Sequence, residues 1–200
     1  RYHRLYRQAV SYMQVELYAQ AAELFRQLAE GPEFYRQLGS YYAAHAFRKH
    51  AEKLAGEGKL SAAIQCLERA LEANPAATST RTLLAECHAR AGDYAAAGRQ
   101  HGQLADAGFR IIDSRIKQAM GLFVAGQVKP AIALLERLNA EQPNHFQTCL
   151  KLGMLLAADG EFDRAARYLT HAANLQPKSA EPQWRLGLAH AACGRLIQAF

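Results

Sequence analysis

His88, His101 and the neighbouring Cys87 come closest in this sequence to a metal-ligand set. Two imidazoles and a thiol on facing helices could hold a transition metal, but a closed site needs further ligands at matched spacing. No carboxylate supplies one. The expected state is a pair of part-buried histidines bonded to backbone or to each other, and a weak point in mild acid. Cys66, Cys149 and Cys193 form no C-x-x-C and no regular framework. Isolated helical thiols behave as small apolar side chains, which favours a reducing, cytoplasmic setting and is compatible with the periplasm. No G-x-G-x-x-G, P-loop, H-E-x-x-H or G-x-S-x-G motif occurs. The chain is therefore expected to be no enzyme and to carry no cofactor or metal.

Spacing says which elements must position these residues. Gly58, Gly92, Gly126, Gly160 and Gly194 recur every 34 residues. Ala63, Ala97, Ala131, Ala165 and Ala199 keep the same step, as do Ala51, Ala85, Ala119, Gly153 and Gly187. Registers held without slippage mean a tandem array. Within one period the apolar spacing is helical: Phe47, Ala51 and Leu54 make one stripe, and Ala63, Leu67, Ala70 and Leu71 a second. Glu57-Gly58-Lys59 breaks the pattern between them, and Asn74-Pro75 ends it. Each period is thus two helices of about a dozen residues, too short to be stable alone. Small residues let the paired helices approach closely, and the glycines suit left-handed helix termini. Pro75, Pro143 and Pro177 follow second helices, whereas Phe109, beside Gly108, stands where the ruler calls for proline.

In residues 146–179 the order is Leu152-Gly153, Leu156, Gly160, Ala165, Leu169, Ala172 and Pro177. The next unit opens the same way with Leu186-Gly187, Gly194 and Ala199. This pattern resembles the tetratricopeptide repeat. The resemblance implies an all-α, right-handed solenoid of antiparallel helix pairs, with repeats at 44–77, 78–111, 112–145, 146–179 and an incomplete 180–200. Residues 1–43 fit less well. Leu5, Ala9, Tyr12, Ala21, Phe25 and Leu28 keep the internal spacing, so 2–35 reads as a divergent repeat with Glu16 in the place of the turn glycine. About eight residues, 36–43, separate it from the regular array. A longer helix from about Glu33 is expected to bridge the two.

First helices of such arrays line a concave groove, so the resemblance turns their variable positions into candidate contacts. One row holds Arg7, Lys49, Leu83, Lys117, Lys151 and Arg185, a nearly continuous basic ladder suited to carboxylates. Beside it run Ile116, Leu150 and Trp184, and then Met120, Met154 and Leu188, expected to be an exposed apolar strip. Together they predict a groove in 112–200 for an acidic segment with apolar anchors. A net charge of +6 fits an acidic partner, but no dense basic block occurs.

The asparagines of the chaperone-binding carboxylate clamp are absent; Glu52, Glu86 or lysine occupies those places. The alternative readings are the recognition arm of a larger enzyme and an RNA-binding helical repeat. The row Arg48, Thr82, Ile116, Leu150 and Trp184 shows no base-reading code, which disfavours nucleic acid. No apolar run approaches the ~20 residues of a membrane span. The sequence, opening at Arg1 without an initiator methionine, reads as part of a longer protein. Its uncapped C-terminal end, with Leu186, Ile197 and Phe200, is expected either to meet further repeats or to self-associate.

Overall fold

The computed structural model describes residues 1–192. Cys193, Gly194, Ile197, Ala199 and Phe200, named above, lie outside the described residues. Among those described, every regular element is an α-helix: α1 (Tyr2–Gln14), α2 (Tyr18–Ala29), α3 (Glu33–Gly56), α4 (Leu60–Ala73), α5 (Thr78–Arg90), α6 (Tyr94–Asp106), α7 (Ile111–Val124), α8 (Val128–Glu141), α9 (Phe146–Ala158), α10 (Phe162–Leu175) and α11 (Ala180–Ala192). The chain divides into two units, Arg1–Gln100 and His101–Phe200.

The turns explain the periodic glycines. Gly58, Gly92, Gly126 and Gly160 have φ between 77° and 85°. At each, the glycine N–H and the next N–H both fold back on the preceding helix. Gly58 donates to the Ala55 carbonyl at 3.2 Å and Lys59 to Leu54 at 2.9 Å. These bonds satisfy carbonyls that a helix end otherwise leaves open. Glu16 occupies the same turn after α1, with φ 58°, and the same pair of bonds forms: Glu16 to Met13 at 3.3 Å and Leu17 to Tyr12 at 2.9 Å. Second helices end differently. Asn74, Gln142 and Gln176 are extended, with φ −144°, −137° and −134°. Each precedes a proline, which disfavours the helical conformation before it. α6 departs from this: it closes at Gly108, with φ 78°, and Arg110 follows with φ 42°.

In the first unit, Phe25 and Leu28 of α2 share a core with Ala9 of α1, Ala43 and Phe47 of α3 and Ala70 of α4. A second cluster joins Ala51 and Ala55 to Leu67, Leu84 and Cys87. α3 is one unbroken helix of 24 residues, starting at Glu33 as its spacing implied. Gly39 makes its docking possible, because an added Cβ there would stand 2.4 Å from the Ala29 nitrogen and 2.7 Å from the Phe25 carbonyl oxygen.

In the second unit, α7 to α11 repeat the same pairing. Leu135 and Leu138 of α8 pack with Ala119 of α7 and with Leu152, Leu155 and Leu156 of α9. Gly153 carries the small-residue row here. A Cβ on it would lie 2.7 Å from Leu169 Cγ, so α9 and α10 meet at a distance that only glycine permits without movement.

Candidate functional site

The first helices of the second unit, α7, α9 and α11, carry the candidate positions. Lys117 is exposed and Lys151 partly so, one on each of two successive first helices. Neither pairs with a carboxylate among the described residues; the Lys151 Nζ instead lies 3.9 Å from Met154 Sδ. Both ammonium groups are therefore uncompensated by side chains among the described residues. Arg185 differs. Its Nε and Nη2 donate to Glu181 Oε1 at 3.0 and 2.9 Å, and its guanidinium sits 5.7 Å from the centre of the Trp184 ring. Trp184 is 61% exposed and Leu188, one turn on, 51% exposed. Met120 and Met154 are half-buried.

Two members of the predicted apolar strip belong elsewhere. Ile116 and Leu150 are buried, so they line no groove. Ile116 joins the core containing Leu152 and Leu155 of α9, and Leu150 the one containing Ala189 of α11. In both cases the next first helix contributes to the cluster that covers them. Trp184, on the same row, stays open. The exposed strip is thus Trp184 and Leu188, extended by the edges of Met120 and Met154.

The ladder's other two cations lie in the first unit. Arg7 is exposed on α1. Lys49 donates to Glu52 Oε2 at 3.0 Å, and Glu52 also receives Arg48. Leu83, the ladder's apolar member, packs against the Ala51–Leu67 cluster.

The reactive side chains are quiet. His88 lies in the first unit, mostly buried, with Nδ1 3.9 Å from Asp93 Oδ2. His101 lies in the second, where burial and the Lys117 ammonium push its imidazole down to about 4. Among the described residues no three His, Cys, Asp or Glu side chains converge. Cys66 Sγ and His50 Nδ1 are 3.5 Å apart. Burial pushes the thiol up and the imidazole down, so both are neutral near pH 7 and the pair is a packing contact. Cys66, Cys87 and Cys149 are free thiols, the last two buried.

The 34-residue rows passed over Phe34 and Tyr41, the exposed aromatics of α3 at 69% and 63%. Tyr41 lies in the inserted residues 36–43, which have no counterpart in the other repeats, and Phe34 among the last positions of the divergent repeat 2–35, so the rows set neither ring apart. Their signal lies within the helix, since they are seven residues apart and share a face.

The tetratricopeptide repeat family profile matches residues 48–109 and 150–199. No curated protein matches the chain significantly. Among solved structures, MamA is similar with a TM-score of 0.66 and 19% identity, covering 78% of this chain and 85% of that one. The 41-end segment of MamA from Desulfovibrio magneticus RS-1 superposes with a TM-score of 0.65 and 17% identity, over 78% and 88% of the two chains. YrrB, described as a TPR protein with an unusual peptide-binding site, gives 0.60 and 21% identity, over 78% and 81%. At these identities the likeness is one of fold.

Proposed function

Since the chain belongs to the tetratricopeptide repeat family, we propose that it is a protein-interaction scaffold whose second unit binds an acidic segment with apolar anchors across α7, α9 and α11. The observation that carries this reading is the pair Lys117 and Lys151. They recur at one place on successive first helices, without carboxylate partners among the described residues, beside thioether and indole surface. Unpaired cations attract and orient an acidic partner, while Trp184 and Leu188 supply apolar area at one end of the strip. Arg185 contributes less, because Glu181 already compensates it. Methionine edges adapt to differently shaped side chains, which suits a scaffold with more than one client. Among the described residues no helix is long and apolar enough to cross a membrane. The free thiols support a cytoplasmic setting for this role.

The test uses the whole chain. A partner recovered by affinity capture is titrated calorimetrically against the wild type and against a variant combining Lys117→Ala, Lys151→Ala and Trp184→Ala. Binding falls at least a hundredfold with an unchanged helical circular dichroism signal, since three contacts of about 1 kcal/mol or more are lost together. Unchanged affinity refutes the site. A generic RNA bound with a steep salt dependence refutes the partner class.

A further inference from the structure

α3 is longer than any other helix among the described residues, and its additional N-terminal turns carry a second surface, in the first unit. Phe34, Leu38, Tyr41, His45 and Arg48 follow spacings of four, three, four and three residues. At 100° per residue they fall within one narrow stripe of the helix. The stripe changes character along its length: its N-terminal half is apolar and its C-terminal half basic. The opposite face of α3 is buried, through Gly39, Ala43, Ala46 and Phe47. The aromatic half is held in place. Exposed Phe34 stands edge-on to Tyr35, which stacks on Tyr2 at 5.2 Å. Exposed Tyr41 stands edge-on to Tyr42, which stacks on Phe25 at 5.2 Å. Exposed rings braced from beneath lose little freedom when a partner covers them.

Where the stripe turns basic it borders a cavity of about 240 Å³ between α3 and the start of α5. Tyr41, His45, Arg48, Asn74 and Ser79 line it, and no acidic side chain does. Each of these residues can donate a hydrogen bond. Nearby, Arg48 and Lys49 share the single carboxylate of Glu52, so one positive charge there is uncompensated. Burial first, and then those two cations, hold the His45 imidazole below its ordinary value, with Glu52 opposing them, so His45 stands in the cavity as a neutral donor.

We propose that this stripe is a docking site for a partner protein segment that places an aspartate or glutamate carboxylate in the cavity and an aromatic side chain on Phe34 and Tyr41. The chemistry is charge complementarity at one end and ring contact at the other. The two ends are two helical turns apart, about 10 Å. A peptide in the polyproline II conformation, with a rise of about 3.1 Å and three residues per turn, covers about that distance in three residues and turns its first and fourth side chains to the same face.

The probe is therefore the tetrapeptide acetyl-Glu-Ala-Ala-Phe-amide, titrated into the isotopically labelled protein and followed by amide chemical shifts. Saturable shifts at His45, Ser79 and Thr80 are expected. Replacing its Glu by Gln weakens binding about tenfold, as does Arg48→Gln in the protein, through loss of a charge-assisted bond. Tyr41→Ala, or Ala in place of the peptide's Phe, weakens it about fivefold. Ser79→Ala, a change too small to disturb folding, gives a smaller loss in the same direction. The Lys117/Lys151/Trp184 variant binds the tetrapeptide like the wild type, which keeps this site separate from that of the second unit. Equal binding of the Glu and Gln peptides overturns the proposal. So does inorganic phosphate that saturates the same shifts as tightly as the peptide, since the aromatic end then contributes nothing. Displacement of the peptide by oligouridylate at a lower concentration than the peptide itself needs also overturns it, in favour of nucleic acid.

Discussion

Glu16→Gly should stabilise the first unit. Glu16 is held at φ 58° at the end of α1, where the equivalent residues after α3, α5, α7 and α9 are glycines. A left-handed conformation costs an L-residue about 1–2 kcal/mol. Glycine removes that cost but loses about 0.5–1 kcal/mol more chain entropy on folding. The balance is a net gain of about 1 kcal/mol. The side chain itself is exposed and makes no hydrogen bond among the described residues, so its removal costs nothing further. The converse change is Gly126→Ala, where an added Cβ meets open space and only the left-handed φ of 80° is penalised. It should cost about 1 kcal/mol, locally in the second unit. Repeat arrays open segment by segment, so native-state hydrogen exchange is the suitable assay. Amides of α1 and α2 should exchange about fivefold more slowly in Glu16→Gly. Glu16→Ala, which keeps the strained conformation, should leave them unchanged. If Glu16→Gly exchanges as fast as the wild type, or Glu16→Ala gains as much, the turn carries no strain.

Two further outcomes follow from the packing. Gly39→Ala forces α3 away from the α2 backbone and should cost about 3 kcal/mol, read as a lower urea midpoint by circular dichroism. Acid should weaken the second unit through His101. Its folded value of about 4 lies below the unfolded value of about 6.5, so the unfolded chain binds the proton first. Stability is then full above about pH 6.5 and falls as pH drops towards 4, by at most about 2 kcal/mol at pH 5. His101→Gln should flatten that part of the pH–stability profile; an unchanged slope would assign the loss to other groups.

Most of the fold was legible because tandem packing repeats its constraints. A glycine that must be left-handed in one repeat must be so in the next, and Gly58, Gly92, Gly126 and Gly160 show it. The long helix from Glu33 was legible too, since no proline or turn glycine interrupts the register before Gly58. What the rows could not convey is burial. Ile116, Leu150 and Trp184 occupy one row, yet the first two are covered and the third is open. Exposure depends on what packs against the neighbouring helix, and no residue type encodes that. Charge compensation is equally hidden: Lys49, Lys117, Lys151 and Arg185 look alike in sequence, but of these four only Lys117 and Lys151 lack a carboxylate partner among the described residues.

The two candidate surfaces also differ in how they arise. That of the second unit is made from repetition, one cation per first helix, so losing a single lysine leaves the others in register and should weaken binding by degrees. The α3 surface is made from an exception, since its aromatic half lies on turns that the other repeats lack. Its two halves sit on one rigid helix, and their spacing is fixed by helical geometry and not by repeat stacking. A partner that reads α3 must match one distance, that between the ring pair and the donor-lined cavity. A partner of the second unit instead faces cations spaced by the stacking of successive repeats. If both proposals hold, specificity at α3 rests on spacing within the ligand, and at the second unit chiefly on the number of acidic residues it presents. Lengthening the tetrapeptide by one alanine separates the two: it should impair binding at α3 and leave the second-unit partner's affinity unchanged when the same insertion is made between its acidic and apolar residues.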